Sequence, residues 1–407
     1  MGAAAVIGLI ACAGGAFFII WYENLLGSRT RLVGVLMLIA SVFLIRAVCL
    51  NHVTLDYVNF LSRWVQYFRT NGGFRALNQP VGNYNLPYLY FLAMFSHSDV
   101  YDLYLIKLLS IAFDVLLAWG ALRLVSVFTN DDLKKLIAFF GVLFLPTVVL
   151  NGAYWGQCDS SYTAFAVWSI YFALKRRGAA SMIAIALSFA FKLQAIFVMP
   201  VFLIFLFSNR VKLWHFILFP LTYVITVLPA VIMGRPFIET ITLYFHQADS
   251  VGPGLNYNSP SVYAMIKGGG NEKLYSILGI AAAFLFLLLL FAWFYIRKKQ
   301  ITDRALLGVV LLMAIGVPFL LPHMHDRYFF QADVLSLCFA IVLPHMFPAA
   351  ILCSFASLLG YHAYLKMQFL LPMHLGSLAL IVALLLVIVD ILGQLHGIRG
   401  KRSAKQR

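Results

Sequence analysis

The segment Leu274–Ile296, LYSILGIAAAFLFLLLLFAWFYI, runs for 23 residues without a charged side chain. A helix of that length crosses a hydrocarbon core, which takes roughly 20 apolar residues. Leu32–Leu50 and Leu375–Leu392 are comparable runs, and the whole chain follows them: 62% of its 407 residues are hydrophobic, 11% are charged, and the mean hydropathy is +0.90. Soluble domains carry about 25% charged residues, so water is not the main solvent of this fold. The apolar runs hold Phe, Tyr, Gly and Pro, which suits a bundle of helices better than a β-barrel with its alternating pattern.

The expected fold is therefore an all-α polytopic membrane bundle of about 11–13 transmembrane helices. Apolar segments fall near 4–21, 32–50, 103–127, 134–150, 160–174, 179–191, 194–208, 213–233, 273–296, 304–321, 328–343, 347–365 and 372–394. They make one domain over 1–394, with large loops at 51–102 and 234–270 and a basic tail at 395–407. Met1–Trp21 has no basic residue ahead of its apolar stretch and reads as a first span, not as a signal peptide. Cysteines 12, 49, 158, 338 and 353 form no CxxC pair and read as packing residues.

A net charge of +15 would suggest nucleic acid in a soluble protein. In a membrane protein it has another source, because Lys and Arg collect in cytoplasmic loops. One set of loops holds most of the 30 Lys and Arg, among them Arg29, Arg31, Lys134, Lys135, Lys175, Arg176, Arg177, Arg297, Lys298 and the tail. That bias puts the N-terminus outside and the C-terminus in the cytoplasm. No nucleic-acid partner is expected. The segments least like linkers, 51–102, 151–160, the turn at Lys192, 234–270 and 322–327, then all face the extracytoplasmic side.

In the first of these, LDYVNFLSRWVQYFRTNGG places Val58, Leu61, Trp64, Val65 and Phe68 at helical spacing, opposite Ser62, Arg63, Gln66 and Arg69. This is an amphipathic helix for the membrane interface. Asp56 precedes it and is either its N-cap or a free acid. NYNLPYLY (Asn83–Tyr90) combines aromatic and amide groups, fit for an interfacial belt or for a sugar. NGAYWGQCDSSY (Asn151–Tyr162) offers Trp155, Gln157 and Asp159, the last also a candidate N-cap. In FAFKLQAIFVMP, Lys192 sits between two short apolar spans, where it needs water or an anion. The loop Tyr244–Gly270 carries His246, Gln247, Asp249, Tyr257 and Asn258. LPHMHDRYFF (Leu321–Phe330) packs His323, His325, Asp326 and Arg327 into five residues, a cationic spot suited to a lipid phosphate. No further His or Asp cluster of metal-ligand spacing accompanies it.

In order, these segments resemble the GT-C superfamily of integral-membrane glycosyltransferases. They are most similar to bacterial relatives of the GPI second mannosyltransferase and to dolichyl-phosphate-glucose-dependent glucosyltransferases. LDYVNFLSRW resembles the acidic motif of the first outer loop. NYNLPYLY resembles a D-Y-P-P-L stretch, departing at Asn85 and Leu86. YWGQCDSSY resembles W-G-Q-x-D, FKLQAIFVMPV resembles F-K-Q with Leu193 inserted, and HMHDRYFF resembles H-E-K or H-E-R with Asp326 for Glu.

The resemblance implies transfer of a hexose, mannose or glucose, from a polyprenyl-phosphate-linked donor to a glycan or lipid acceptor, with inversion. Asp56 would be the general base. Lys192, His325 and Arg327, with His323, would hold the donor phosphate. Tyr57, Asn83, Tyr84, Asn85, Trp155, Gln157, Asp159, Gln194, Tyr257 and Asn258 would line the sugar and acceptor sites. The donor's carrier chain would lie between spans near 192–208 and 304–330. No cofactor is expected, since protein cations can neutralise one phosphate; a divalent metal is the alternative, as in relatives with pyrophosphate leaving groups. A monomer is expected. The rival reading is a transporter or flippase of a lipid-linked sugar, which would call for internal repeats that the two halves do not show.

Overall fold

The computed structural model describes residues 2–244, 252, 254–266, 271–298 and 300–405, with the backbone alone over 395–405. His246, Gln247 and Asp249 lie outside the described residues. In chain order the helices are α1 (Ala3–Tyr22), α2 (Arg29–Cys49), α3 (Ser62–Thr70), α4 (Leu86–Phe95), α5 (Asp102–Val125), α6 (Asp132–Phe144), α7 (Pro146–Val149), α8 (Asp159–Leu174) and α9 (Gly178–Phe191). They continue with α10 (Val201–Phe207), α11 (Leu218–Ile232), α12 (Phe237–Ile241), α13 (Glu272–Ile296), α14 (Asp303–Leu320), α15 (Phe330–Val342), α16 (Phe347–Leu365) and α17 (His374–Lys405). Two short strands, β1 (Asn256–Tyr257) and β2 (Met324–His325), pair in parallel.

The protein is an all-α polytopic membrane protein. Eight helical elements among the described residues are long and apolar enough to cross a bilayer, and α6 with its bent continuation Pro146–Trp155 makes a ninth. The other expected spans are shorter. α9 and α15 have 14 and 13 residues, and the stretch 193–207 is a 3-10 turn followed by α10. Backbone that breaks at membrane depth must be satisfied by protein, and the short pieces are accordingly interior. α8 packs against α5 and α9, and α14 is buried along nearly its whole length. α13, by contrast, shows most of its surface, as a lipid-facing helix does.

Apolar burial alone does not press helices together in lipid, so close approach and interhelical hydrogen bonds do much of the work. α9 reads GAASMIAIALSFAF, and its small residues let α8 come close. Ser181 Oγ donates to the carbonyl of Ser169, and Ser188 Oγ to that of Tyr162, each at 2.7 Å. A fully buried ion pair ties α2 to α5: Arg46 Nη2 lies 2.9 Å from Asp114 Oδ2. Arg46 Nη1 donates to the carbonyl of Leu143, and Ser160 Oγ donates to Asp114 Oδ1, so α6 and α8 join the same knot.

A helix follows Asp56 as expected, but its phase differs. Residues Tyr57–Leu61 form a π-helical turn that takes one extra residue. Tyr57 therefore turns inward, and Val58 turns outward, while Leu61, Val65 and Phe68 stay buried. They cover a second apolar core with α4 and the start of α5. Arg69 pairs with Asp102 at 2.8 Å and pins α3 to α5.

Removing Arg46 or Asp114 alone strands a buried charge, which costs about 3–5 kcal/mol. Arg46→Met and Asp114→Leu are each expected to lower the thermal midpoint in detergent, and the double variant to recover most of the loss. Additive losses would contradict this account of the knot.

Candidate active site

Four interruptions of helical structure meet at one end of the bundle. The first is the π-turn behind Asp56. The second begins at Leu145–Pro146, where proline cannot continue α6. It runs through a further π-turn, Leu150–Trp155, to Gly156, whose φ of +85° only glycine adopts without strain. The third is Lys192, extended at φ −157° after the last residue of α9. The fourth is the loop 321–329 between α14 and α15.

Asp56 has helical backbone angles, and its side chain caps nothing. The N-cap alternative therefore fails. Its Oδ2 accepts from Trp155 Nε1 at 2.9 Å and from Gln157 Nε2 at 2.5 Å. Its Oδ1 accepts from the hydroxyl of Tyr364 on α16. A carboxylate has about four lone-pair positions, so one remains, on Oδ1. Asp56 itself is half-buried.

Two aromatic bridges lead from this acid to the cations. The indole of Trp155 gives its N–H to Asp56 and carries the guanidinium of Arg327 5.3 Å from its ring centre. Tyr364 stacks on the same indole at 4.6 Å. In parallel, Gln157 passes from Asp56 to Tyr84, whose hydroxyl donates to Gln157 Oε1 at 2.8 Å. Lys192 Nζ lies 5.4 Å from the centre of the Tyr84 ring.

Beyond the bridges lies a cavity of about 380 Å³ whose walls include Asn83, Tyr84, Lys192, Gln194, Tyr257 and Arg327. Asp159, the first residue of α8, sits beneath it and pairs with both cations. It bonds to Lys192 Nζ and lies 3.5 Å from Arg327 Nε. Asn151 Nδ2 holds its Oδ2 at 2.7 Å. Asp159 is thus a counter-ion rather than the N-cap of α8, and Cys158 takes the cap position. Asp326 lies 3.5 Å from Arg327 Nη1, and burial pushes its carboxyl up to about 7.

The histidines depart from expectation. His325 lines the cavity and stacks on Tyr257 at 4.7 Å. Burial, helped by Arg327 and Lys192, lowers its imidazole to about 4. At neutral pH it is a neutral hydrogen-bonding group and not a cation. His323 turns away from the cavity. Its Nδ1 sits 2.8 Å from the carbonyl of Gly254, and its Nε2 3.4 Å from Ser276 Oγ. It fastens the loop at 254 beside the β1–β2 pair.

Three other residues of the expected set make contacts that hold the fold. Tyr57 packs edge-on against Tyr101 in the second core. Asn85 Oδ1 accepts from the amide of Leu86 and caps α4, although the residue borders the cavity. Asn258 bridges His325 through its backbone. Asn151 Nδ2 also donates to the hydroxyl of Tyr361 on α16 at 2.9 Å, and neither these two nor Tyr364 is singled out by the sequence. Tyr361 and Tyr364 fall at the end of an apolar helix, where aromatic residues read as an interfacial belt.

Asp159→Asn would leave two buried cations short of their counter-ion, at a cost of about 3–5 kcal/mol. A clear drop in thermal midpoint is expected for the variant in detergent; an unchanged midpoint would mean that the pair does not hold these loops together.

The curated proteins contain no match to this chain. The model of glycosyltransferase family 87 matches residues 83–322, which takes in Tyr84, Trp155, Gln157, Asp159 and Lys192, while Asp56 and Arg327 lie outside that range. With more than half of its length matched and its polar groups gathered at one end of a membrane bundle, the chain belongs to glycosyltransferase family 87.

Proposed function

We propose that this glycosyltransferase moves a hexose from a polyprenyl-phosphate donor to an acceptor hydroxyl, with inversion, at the extracytoplasmic face. The observation that carries the reading is the pair of bridges: a half-exposed carboxylate held by three donors lies one aromatic ring away from a cationic cavity. The uneven distribution of Lys and Arg supports the extracytoplasmic placement. The resemblance to GT-C enzymes supports the donor type.

In this reading the acceptor hydroxyl occupies the open lone pair of Asp56 Oδ1. Its oxygen attacks the anomeric carbon as the proton passes to Asp56. The bond from that carbon to the phosphate oxygen breaks, and its electron pair leaves with the lipid phosphate. Charge then grows on the phosphate, and fixed cations already aimed at it stabilise the transition state. Arg327 is the one of the two that a single ring, Trp155, joins to Asp56. Lys192 and Arg327 against Asp159 leave one net positive charge while Asp326 stays protonated. His325 would orient the sugar or phosphate as a neutral partner.

The first test is Asp56→Asn. Turnover is expected to fall by about 10²–10⁴-fold, the usual contribution of a general base, with donor affinity kept. Near wild-type turnover would remove Asp56 as the base. Arg327→Ala should instead weaken donor binding, by about 1.5–3 kcal/mol for a charge-assisted contact.

The second test uses pH. As pH rises through about 7, Asp326 ionises beside Arg327 and cancels the net positive charge. Bound phosphate favours the protonated acid, so donor affinity should fall on the alkaline side, by at most about tenfold per pH unit for one proton. Asp326→Asn should flatten that limb. A donor affinity that climbs above pH 7, or an unchanged slope in Asp326→Asn, would contradict the placement of the phosphate at Arg327.

A further inference from the structure

We infer that Lys107 is a positioning residue for Asp56, acting through the turn that joins α2 to the interfacial segment. The inference rests on the reading of Asp56 as the base. Lys107 lies within α5 and is fully buried. Its Nζ donates to the carbonyl of Cys49 at 2.8 Å and to that of His52 at 2.7 Å. A buried ammonium is costly unless its donors are satisfied, and here two main-chain carbonyls take two of the three. The Cys49 carbonyl is the last of α2, where the final groups of a helix lack partners and a cation is favoured, and the His52 carbonyl lies in the turn beyond it.

Capping alone would explain Lys107 if the chain were free beyond its contact. It is held at each further step. Tyr104 Oη, one turn earlier on α5, donates to Asn51 Oδ1 at 2.9 Å. His52 stacks on Tyr154 with ring centres 3.7 Å apart. Thr54 Oγ1 donates to the carbonyl of Trp155 at 2.9 Å. Asp56 follows two residues later.

The same helix also fixes the partners of the acid. Ser110, one turn beyond Lys107, donates from Oγ to the carbonyl of Gln157 at 2.7 Å. α5 therefore sets the distance between the turn that carries Asp56 and the segment that carries Trp155 and Gln157. Lys107 is the fixed point on the Asp56 side, and Ser110 the fixed point on the other.

The test compares full-length wild type with Lys107→Met in lipid nanodiscs, by amide hydrogen exchange and by transfer kinetics. Exchange over residues 50–58 should quicken while exchange over α8 stays as in wild type. Turnover should fall about 10- to 100-fold, as for a misplaced catalytic group, with KM for the donor unchanged. Lys107→Gln, which keeps two N–H donors, should recover part of that rate. Unchanged exchange over 50–58 would overturn the inference. So would faster exchange confined to the last turn of α2, which marks a cap alone, or faster exchange through the whole bundle, which marks general destabilisation. If wild type transfers from no polyprenyl-phosphate sugar, the reading of the reaction fails, while the exchange result still decides the role of Lys107.

Discussion

The indole of Trp155 joins the two halves of the site. Its N–H is committed to Asp56 and one of its faces to Arg327, while Tyr364 stacks on the ring and returns to the same acid. Neither charged group could be placed so closely by its own chain segment, since Asp56 follows α2 and Arg327 precedes α15. The ring is wholly buried. It can bridge them because a π-turn and Gly156 halt the chain beside both. An aliphatic residue there would fill space without fixing either group.

That arrangement depends on a membrane protein breaking its helices where polar groups are needed. In lipid every broken backbone must find protein partners. The breaks at Leu145–Pro146 and at Lys192 find them inside the bundle, walled by α5, α8 and α9. The result is a polar cavity of low dielectric, where a charge is worth more than in water and costs more if left alone. Asp159 resolves that cost for Lys192 and Arg327 before any ligand arrives. An anion entering the cavity would meet cations already held in place, with no long side chain left to order.

The fold was legible in the apolar runs, because length and hydropathy alone decide whether a segment can span. Helix phase was less so: a single π-turn put Tyr57 inside and Val58 outside, and no periodicity foretells an extra residue. At the site, polar residues between spans drew attention to Asp56, Trp155, Gln157, Lys192 and Arg327, and the structure gathers all five. The sequence could not tell a cation from its neighbour's counter-ion, so Asp159 read as a cap or sugar contact. It also gave His325 a charge that burial withholds. Tyr364 and Lys107 were hidden because each lies within an apolar helix, where an aromatic or a lone lysine has an ordinary explanation.

A structure of the protein with a non-hydrolysable polyprenyl-phosphonate hexose tests the central claim most directly. The account predicts the phosphonate within hydrogen-bond reach of Arg327 or Lys192 and the anomeric carbon facing the open side of Asp56 Oδ1. A headgroup bound elsewhere on the bundle, or one whose sugar points away from Asp56, would contradict it.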